Sequence, residues 1–172
     1  MQIFLTSPDY AQCARDLDDV RLRKIIVESA QIASTALWIN NCDLAETLTS
    51  QGLCYLPSHE NRPLVKWAAS DYEVFRDCLR YCQCLCDEYF DRFYKKHKTF
   101  NICMNLVSIA LPKHFKKYEQ WVEIVYVNAT TNHKHIHDVY EAYRQELCLK
   151  WKNDKKPPIW TNRQQPHWYK GE

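Results

Sequence analysis

Arg21, Lys24, Glu28, Gln31 and Thr35 follow one another at intervals of three, four, three and four residues. On an α-helix that spacing puts all five side chains on one face. Ile25 and Ile32 each lie about one turn from Glu28, so the carboxylate borders an apolar surface. A carboxylate at a core edge, with cations one and two turns away, can move a proton or stabilise a growing positive charge. The same spacing also fits an ordinary surface pair of Glu28 with Lys24, a device worth ~0.3–0.5 kcal/mol.

Three further groups have the residue types for chemistry. Cys78, Cys82 and Cys86 share one helical face while Cys84 points elsewhere. Thiolates on a single helix do not converge on a tetrahedral ion, so neither zinc nor a disulfide is expected among the four, and they read as small buried hydrophobes. In Asn132-His133-Lys134-His135-Ile136-His137 the alternating histidines share a side only on extended backbone, whereas His133 and His137 would converge on a helix. A metal pair, an anion contact and ordinary histidines all fit that run. The last group, Trp151, Lys152, Lys155, Lys156, Trp160, Arg163, Trp168, Tyr169 and Lys170, interleaves aromatics with cations. It suits stacking on unpaired bases, and equally a tail that packs its rings on the body of the protein. His59, just ahead of a helix start, can face a phosphate or serve in capping and packing.

The elements that must hold these residues read as mainly helical. Residues 1–8 start apolar and stop at Ser7-Pro8, a short extended segment. Leu22, Ile26, Ala30, Ala33 and Leu37 predict a helix from about 18 to 39, with Asp18 and Asp19 at its start. A loop is expected from Asn40 to His59. A second helix is predicted from Asn61 to about 95 with Pro63 in its first turn, and a third from Thr99 to about Leu111. Trp121, Ile124, Val125 and Val127 fit either a helical turn or a short strand. A last helix is predicted over about 136–151, and Pro157-Pro158 opens an extended tail. The expected fold is all-α: a compact helical bundle with an extended N-terminal segment and an irregular C-terminal tail.

Composition narrows the function. The 172 residues and 20.6 kDa suit one domain over 1–172 with a sizeable core. Only 2 glycines exclude a P-loop or a dinucleotide fingerprint. No apolar run approaches the ~18 residues of a membrane span, and the first residues lack the pattern of a signal peptide. Nine cysteines are then expected as reduced thiols in a cytoplasmic protein. The formal net charge is only +2, but residues 91–120 hold seven Lys/Arg against two Asp/Glu and residues 144–172 hold seven against three. Two basic segments on a near-neutral chain suit a local face for nucleic acid, or two solvated surfaces.

Met1-Gln-Ile-Phe-Leu-Thr-Ser-Pro-Asp-Tyr, then Leu17-Asp18 and a helix bearing Glu28 ten residues after Asp18, resemble the pyrimidine dimer DNA glycosylases, the endonuclease V-like enzymes of phages and bacteria. His59-Glu-Asn-Arg-Pro63 with Trp67 and Cys86-Asp-Glu88 is similar to the family's His-Pro and Trp segment followed by an acidic stretch. Gln165-Pro-His-Trp-Tyr-Lys170 resembles the Trp-Tyr-rich terminus of some members. Asp19, Arg21, Lys24, Glu28-Ser-Ala-Gln31 and Ser34-Thr-Ala36 match the pattern of a group of phage proteins of that type. Where the family carries Arg beside and after its Glu, this chain has Val27 and Gln31.

The resemblance implies an enzyme that flips a nucleotide out of double-stranded DNA and attacks the sugar's anomeric carbon with its N-terminal amine. An α-amine, with a reference pKa of about 7.7–8.0, is partly neutral at pH 7, unlike a lysine near 10.4. Because Gln2 is large, Met1 is expected to be retained, and its amine would be the nucleophile. Glu28 would be the acid/base group, and no metal or cofactor is implied. Arg21, Lys24, Gln31, His59, Arg62, Tyr143, Arg144, Trp168 and Tyr169 are the expected contacts to substrate and DNA. Two other readings fit the same residues: a phage-type enzyme that hypermodifies a base without excising it, and a nucleic-acid-binding protein without chemistry.

Overall fold

A computed structural model describes residues 2–119 and 122–171. Among these are seven α-helices: α1 (Tyr10–Asp16), α2 (Asp19–Asn40), α3 (Cys42–Ser50), α4 (Pro63–Ala69), α5 (Tyr72–Phe93), α6 (Phe100–Ile109) and α7 (Val139–Asn153). The one 3-10 turn among them is Pro112–His114, and none of the described residues forms a strand. The chain is therefore all-α. No helix among the described residues is long and apolar enough to cross a membrane.

The centre of the fold is α2, which packs against α3, α4, α5 and α6. Its inward positions are small: Ser29, Ala30, Ala33, Ser34 and Ala36 are all fully buried. Small side chains let neighbouring helix axes come close, and Leu22, Ile26 and Leu37 fill the remaining space. Cys78, Cys82 and Cys86 are buried on α5, with Cys103 of α6, while Cys84 is half-buried. Cys78 and Cys82 donate to the α2 carbonyls of Ser29 and Ile26 at 3.9 and 3.8 Å. The four residues of α5 thus lie where their helical spacing puts them.

The N-terminal segment is threaded into the bundle. Ile3, Phe4 and Leu5 are each no more than 2% exposed, so extended backbone is covered on both faces. The Tyr81 hydroxyl of α5 accepts from the Phe4 amide and donates to the Phe4 carbonyl, both at 3.1 Å. On the other side the Phe4 ring meets the Tyr143 ring of α7 edge-on at 5.9 Å.

Several expected boundaries move. The helix predicted over 61–95 is two helices. Ser70 folds its hydroxyl back onto the Trp67 carbonyl at 2.7 Å, and extended Asp71 caps α5 through the Glu73 amide at 2.8 Å. The expected loop after Asn40 contains α3, because Asn41 both ends α2 and caps α3 through the Leu44 amide at 3.0 Å. Asp9 caps α1, an element the hydrophobic pattern does not announce. The last helix starts at Val139, capped by Asp138, so His133, His135 and His137 precede it. Ile124, Val125 and Val127 join neither a helix nor a strand. Side chains satisfy their backbone instead: Trp67 donates to the Val125 carbonyl at 3.0 Å and Tyr143 to the Val127 carbonyl at 2.9 Å. Trp121 lies outside the described residues.

The tail takes the second of its two readings. Trp160, Trp168 and Tyr169 pack around Trp151 with ring centroids 5.2, 5.6 and 4.7 Å away. The indoles of Trp160 and Trp168 donate to the carbonyl and carboxylate of Asp16 at 3.0 and 3.1 Å. Beneath them, fully buried Arg92 binds Glu88 at 2.6 Å, Asp19 at 3.1 Å and the Leu17 carbonyl at 2.8 Å. This fixes the junction of α1 and α2 against α5.

Candidate active site

Glu28 sits in the middle of α2, on the face turned toward the N-terminal segment. Its side chain is 16% exposed and pairs with Lys24 at 3.6 Å. The backbone nitrogen of Gln2 donates to its second oxygen at 2.8 Å. A surface ion pair is therefore only half of the Glu28 environment; the other half is the start of the chain. The Met1 amine lies outside the described residues.

These groups open onto a cleft of about 470 Å³, walled by Phe4 and Ile25 and lined by Gln2, Arg21, Lys24, Glu28, Asn132 and Lys150 among others. The Gln2 side-chain Nε2 is buried and has no hydrogen-bond partner among the described residues. A buried amide with unmet donors favours an acceptor brought by a ligand or a water. Arg21 is nearly buried and spends its charge on Asp18 at 3.1 Å and Asp154 at 2.7 Å. It fixes the end of α7 against α2, while Lys24, 68% exposed, remains open to an anion.

The wall opposite Glu28 is held by a second carboxylate. Glu146 is fully buried on α7 and accepts from His133 at 2.9 Å, the Asn132 amide at 3.2 Å and Lys150 at 3.3 Å. Burial pushes the Glu146 carboxyl up, but the hydrogen bonds from His133, Asn132 and Lys150 outweigh it and hold the group below its ordinary value. One buried charge thereby places Asn132 and Lys150 on the cleft. A larger hollow, about 700 Å³, lies between α1 and the tail. Its carboxylate, Asp16, is already taken up by Thr6, Gln12 and Trp168 at 2.6, 2.7 and 3.1 Å. The hollow's histidine, His167, is exposed on its rim.

The expected site residues divide into three groups. Arg21, Lys24 and Glu28 share the cleft. Gln31 is half-buried one turn beyond Glu28, and Thr35 after it exchanges hydrogen bonds with the Ser58 backbone at 3.1 and 3.3 Å. That pairing brings exposed His59, at a left-handed φ of 57°, and exposed Arg62 to the far end of the same stripe. The third group packs or hydrogen-bonds within the protein, away from the cleft lining. Tyr143 is fully buried, with its hydroxyl bridging the Val127 carbonyl and Ala129 amide, so it stands behind the surface and not on it. Arg144 donates to the Thr6 carbonyl at 2.8 Å, while Trp168 stacks on Trp151 and Tyr169 meets it edge-on, behind Arg21. Gln2, Asn132, Lys150 and Asp154 are cleft residues that spacing along one helix does not reveal, because they come from three separate parts of the chain. None of the described His, Cys, Asp and Glu residues form a cluster of three or more able to hold a metal ion.

No curated protein and no solved structure matches the chain. The family model for pyrimidine dimer DNA glycosylase matches residues 1–102. That span holds the N-terminal segment, all of α2, and α3, α4 and α5 packed against it, and so carries both Gln2 and Glu28. The wall from α7 lies beyond it. The match covers more than half of the 172 residues and includes the N-terminal segment and the carboxylate of the cleft: the chain belongs to the pyrimidine dimer DNA glycosylase family.

Proposed function

We propose that the Glu28 cleft receives a nucleotide flipped from double-stranded DNA and that the chain excises a damaged or modified pyrimidine from it. The interaction that carries this reading is the hydrogen bond of 2.8 Å from the Gln2 nitrogen to Glu28. Only the Met1 Cα and carbonyl carbon separate that nitrogen from the α-amine. An amine beside a carboxylate, in a cleft with apolar walls and buried amide donors, is the apparatus such a reaction needs.

In the proposed sequence the neutral Met1 amine attacks C1′, and the C1′–N bond breaks with its electron pair leaving on the base, which takes up a proton. The ring C1′–O4′ bond then opens, O4′ takes up the proton that the amine nitrogen gives up, and a protonated imine links Met1 to the sugar. Glu28 carries the protons and stabilises the cationic sugar. Abstraction of a C2′ proton then expels the 3′-phosphate and cuts the strand. The Gln2 carboxamide is placed to donate to an oxygen of the bound nucleotide. Val27 and Gln31 stand where the family carries Arg, which supports a substrate other than the pyrimidine dimer.

Duplexes carrying a panel of damaged and modified pyrimidines, with base release followed by chromatography, test the proposal. Release of a free base from one of them is the expected result. A nucleoside whose mass changes without release supports base modification instead. Binding with neither outcome across the panel and with no reaction at an abasic site contradicts both.

A further inference from the structure

Flipping a nucleotide leaves a hole in the base stack, and proteins that open duplexes commonly fill such gaps with an apolar side chain. Two side chains beside the Glu28 cleft fit that task. Val20, in the first turn of α2, is 67% exposed, and Ile159 of the tail is 63% exposed. Covering apolar surface of this extent would be favourable. Both residues line a hollow of about 420 Å³ that adjoins the cleft, with Val20 and Asp154 on the boundary of both.

Their backbones are held in place. The Asp19 amide donates to the Ile159 carbonyl at 2.8 Å, and Asp18 accepts from the Val20 amide at 3.2 Å. Asp19 is itself tied to buried Arg92 at 3.1 Å and to Thr161 at 2.6 Å. An exposed apolar pair on so firmly anchored a backbone is poised to meet a partner. The surroundings name that partner. Arg23, Lys155 and Lys156 are exposed on the walls of the same hollow. Its acids are occupied: Asp18 by Arg21 and Trp151, Asp19 by Arg92 and Thr161, and Asp154 by Arg21. The free charge is therefore positive, which suits phosphates on either side of a base step.

We infer that Val20 and Ile159 form an apolar wedge that enters the base stack of double-stranded DNA and fills the gap left by the nucleotide in the Glu28 cleft. The inference rests on the proposed base-flipping reading. Borohydride trapping on oligonucleotides with one abasic site separates the two. The abasic site is presented once in a duplex and once in a single strand, which has no stack to enter. For the Val20→Ala/Ile159→Ala variant, the ratio of duplex to single-strand trapping rates should fall by ~10-fold or more. Val20→Leu/Ile159→Leu, which keeps apolar bulk, should restore it. Substitutions at two exposed positions spare the core, and an unchanged melting temperature checks this. An unaltered ratio, or restoration by serine as good as by leucine, overturns the wedge alone. Absence of any trapped product with the unsubstituted protein overturns the base-flipping reading and the wedge with it.

Discussion

Glu28 is distinguished from its neighbours by what meets each of its oxygens: an exposed ammonium on one and the amide of Gln2 on the other. If the carboxylate only paired with Lys24, Glu28→Gln would cost a few tenths of a kcal/mol and change nothing else. In the proposed role, the variant keeps DNA affinity while turnover falls by ~10²–10⁴. Single-turnover rates and binding measured on the same preparation separate the two. Glu146 makes a different forecast. Its carboxyl lies below the ordinary value in the folded state, so its charge stabilises the fold above the unfolded-state value, and this is lost as pH falls through the folded one. Glu146→Gln should cost about 1–3 kcal/mol at pH 7, and the gap from the native protein should narrow as pH drops below the carboxylate range. Urea titrations at the two pH values check it, and a gap that widens in acid contradicts the assignment. The stripe around Glu28 was legible in the sequence because one helix sets its spacing. Glu146 was not, since its partners His133 and Asn132 come from irregular chain whose path no periodicity encodes.

The element on which the site depends most is the N-terminal segment, which has no regular hydrogen bonding of its own. Tyr81 substitutes for a partner strand by both accepting from and donating to Phe4. Tyr81→Phe removes both bonds and leaves two buried backbone groups unpaired, at a cost of about 1–3 kcal/mol. It should also slow the reaction at an abasic site by loosening Gln2 over Glu28, although Tyr81 is absent from the cleft lining. Equal rates for the two proteins would show that the segment is positioned by other interactions. Long periodic helices such as α2 and α7 could be read from their apolar spacing to within about three residues. Short α1 and α3 could not, because their existence depends on single capping residues, Asp9 and Asn41. The break between α4 and α5 escaped for the same reason: Ser70-Asp71 interrupts an apolar pattern that runs on across it.

At the scale of the whole molecule, the two basic segments part company. Lys150, Lys155 and Lys156 lie on the cleft or the hollow beside it. The Lys116 amide instead donates to the Asn40 side-chain Oδ1 at 3.1 Å, at the far end of α2, roughly 18 Å along the helix from Glu28 at 1.5 Å per residue. Replacing Lys155 and Lys156 by Gln should weaken binding to every sequence and reduce the salt slope by about 0.9 for each phosphate no longer neutralised. The same change at Lys113, Lys116 and Lys117 should have the smaller effect, and the reverse order would move the DNA to the opposite end of the protein. The central claim is that the amine at Met1, and not a lysine, attacks the sugar. Lys24 and Lys150 are the competing amines on the cleft. The deciding measurement is peptide mapping by mass spectrometry of the product trapped by borohydride on abasic DNA. The sugar adduct is expected on the tryptic peptide that ends at Arg15, attached at the α-amine of Met1. An adduct on Lys24 or Lys150 would contradict it.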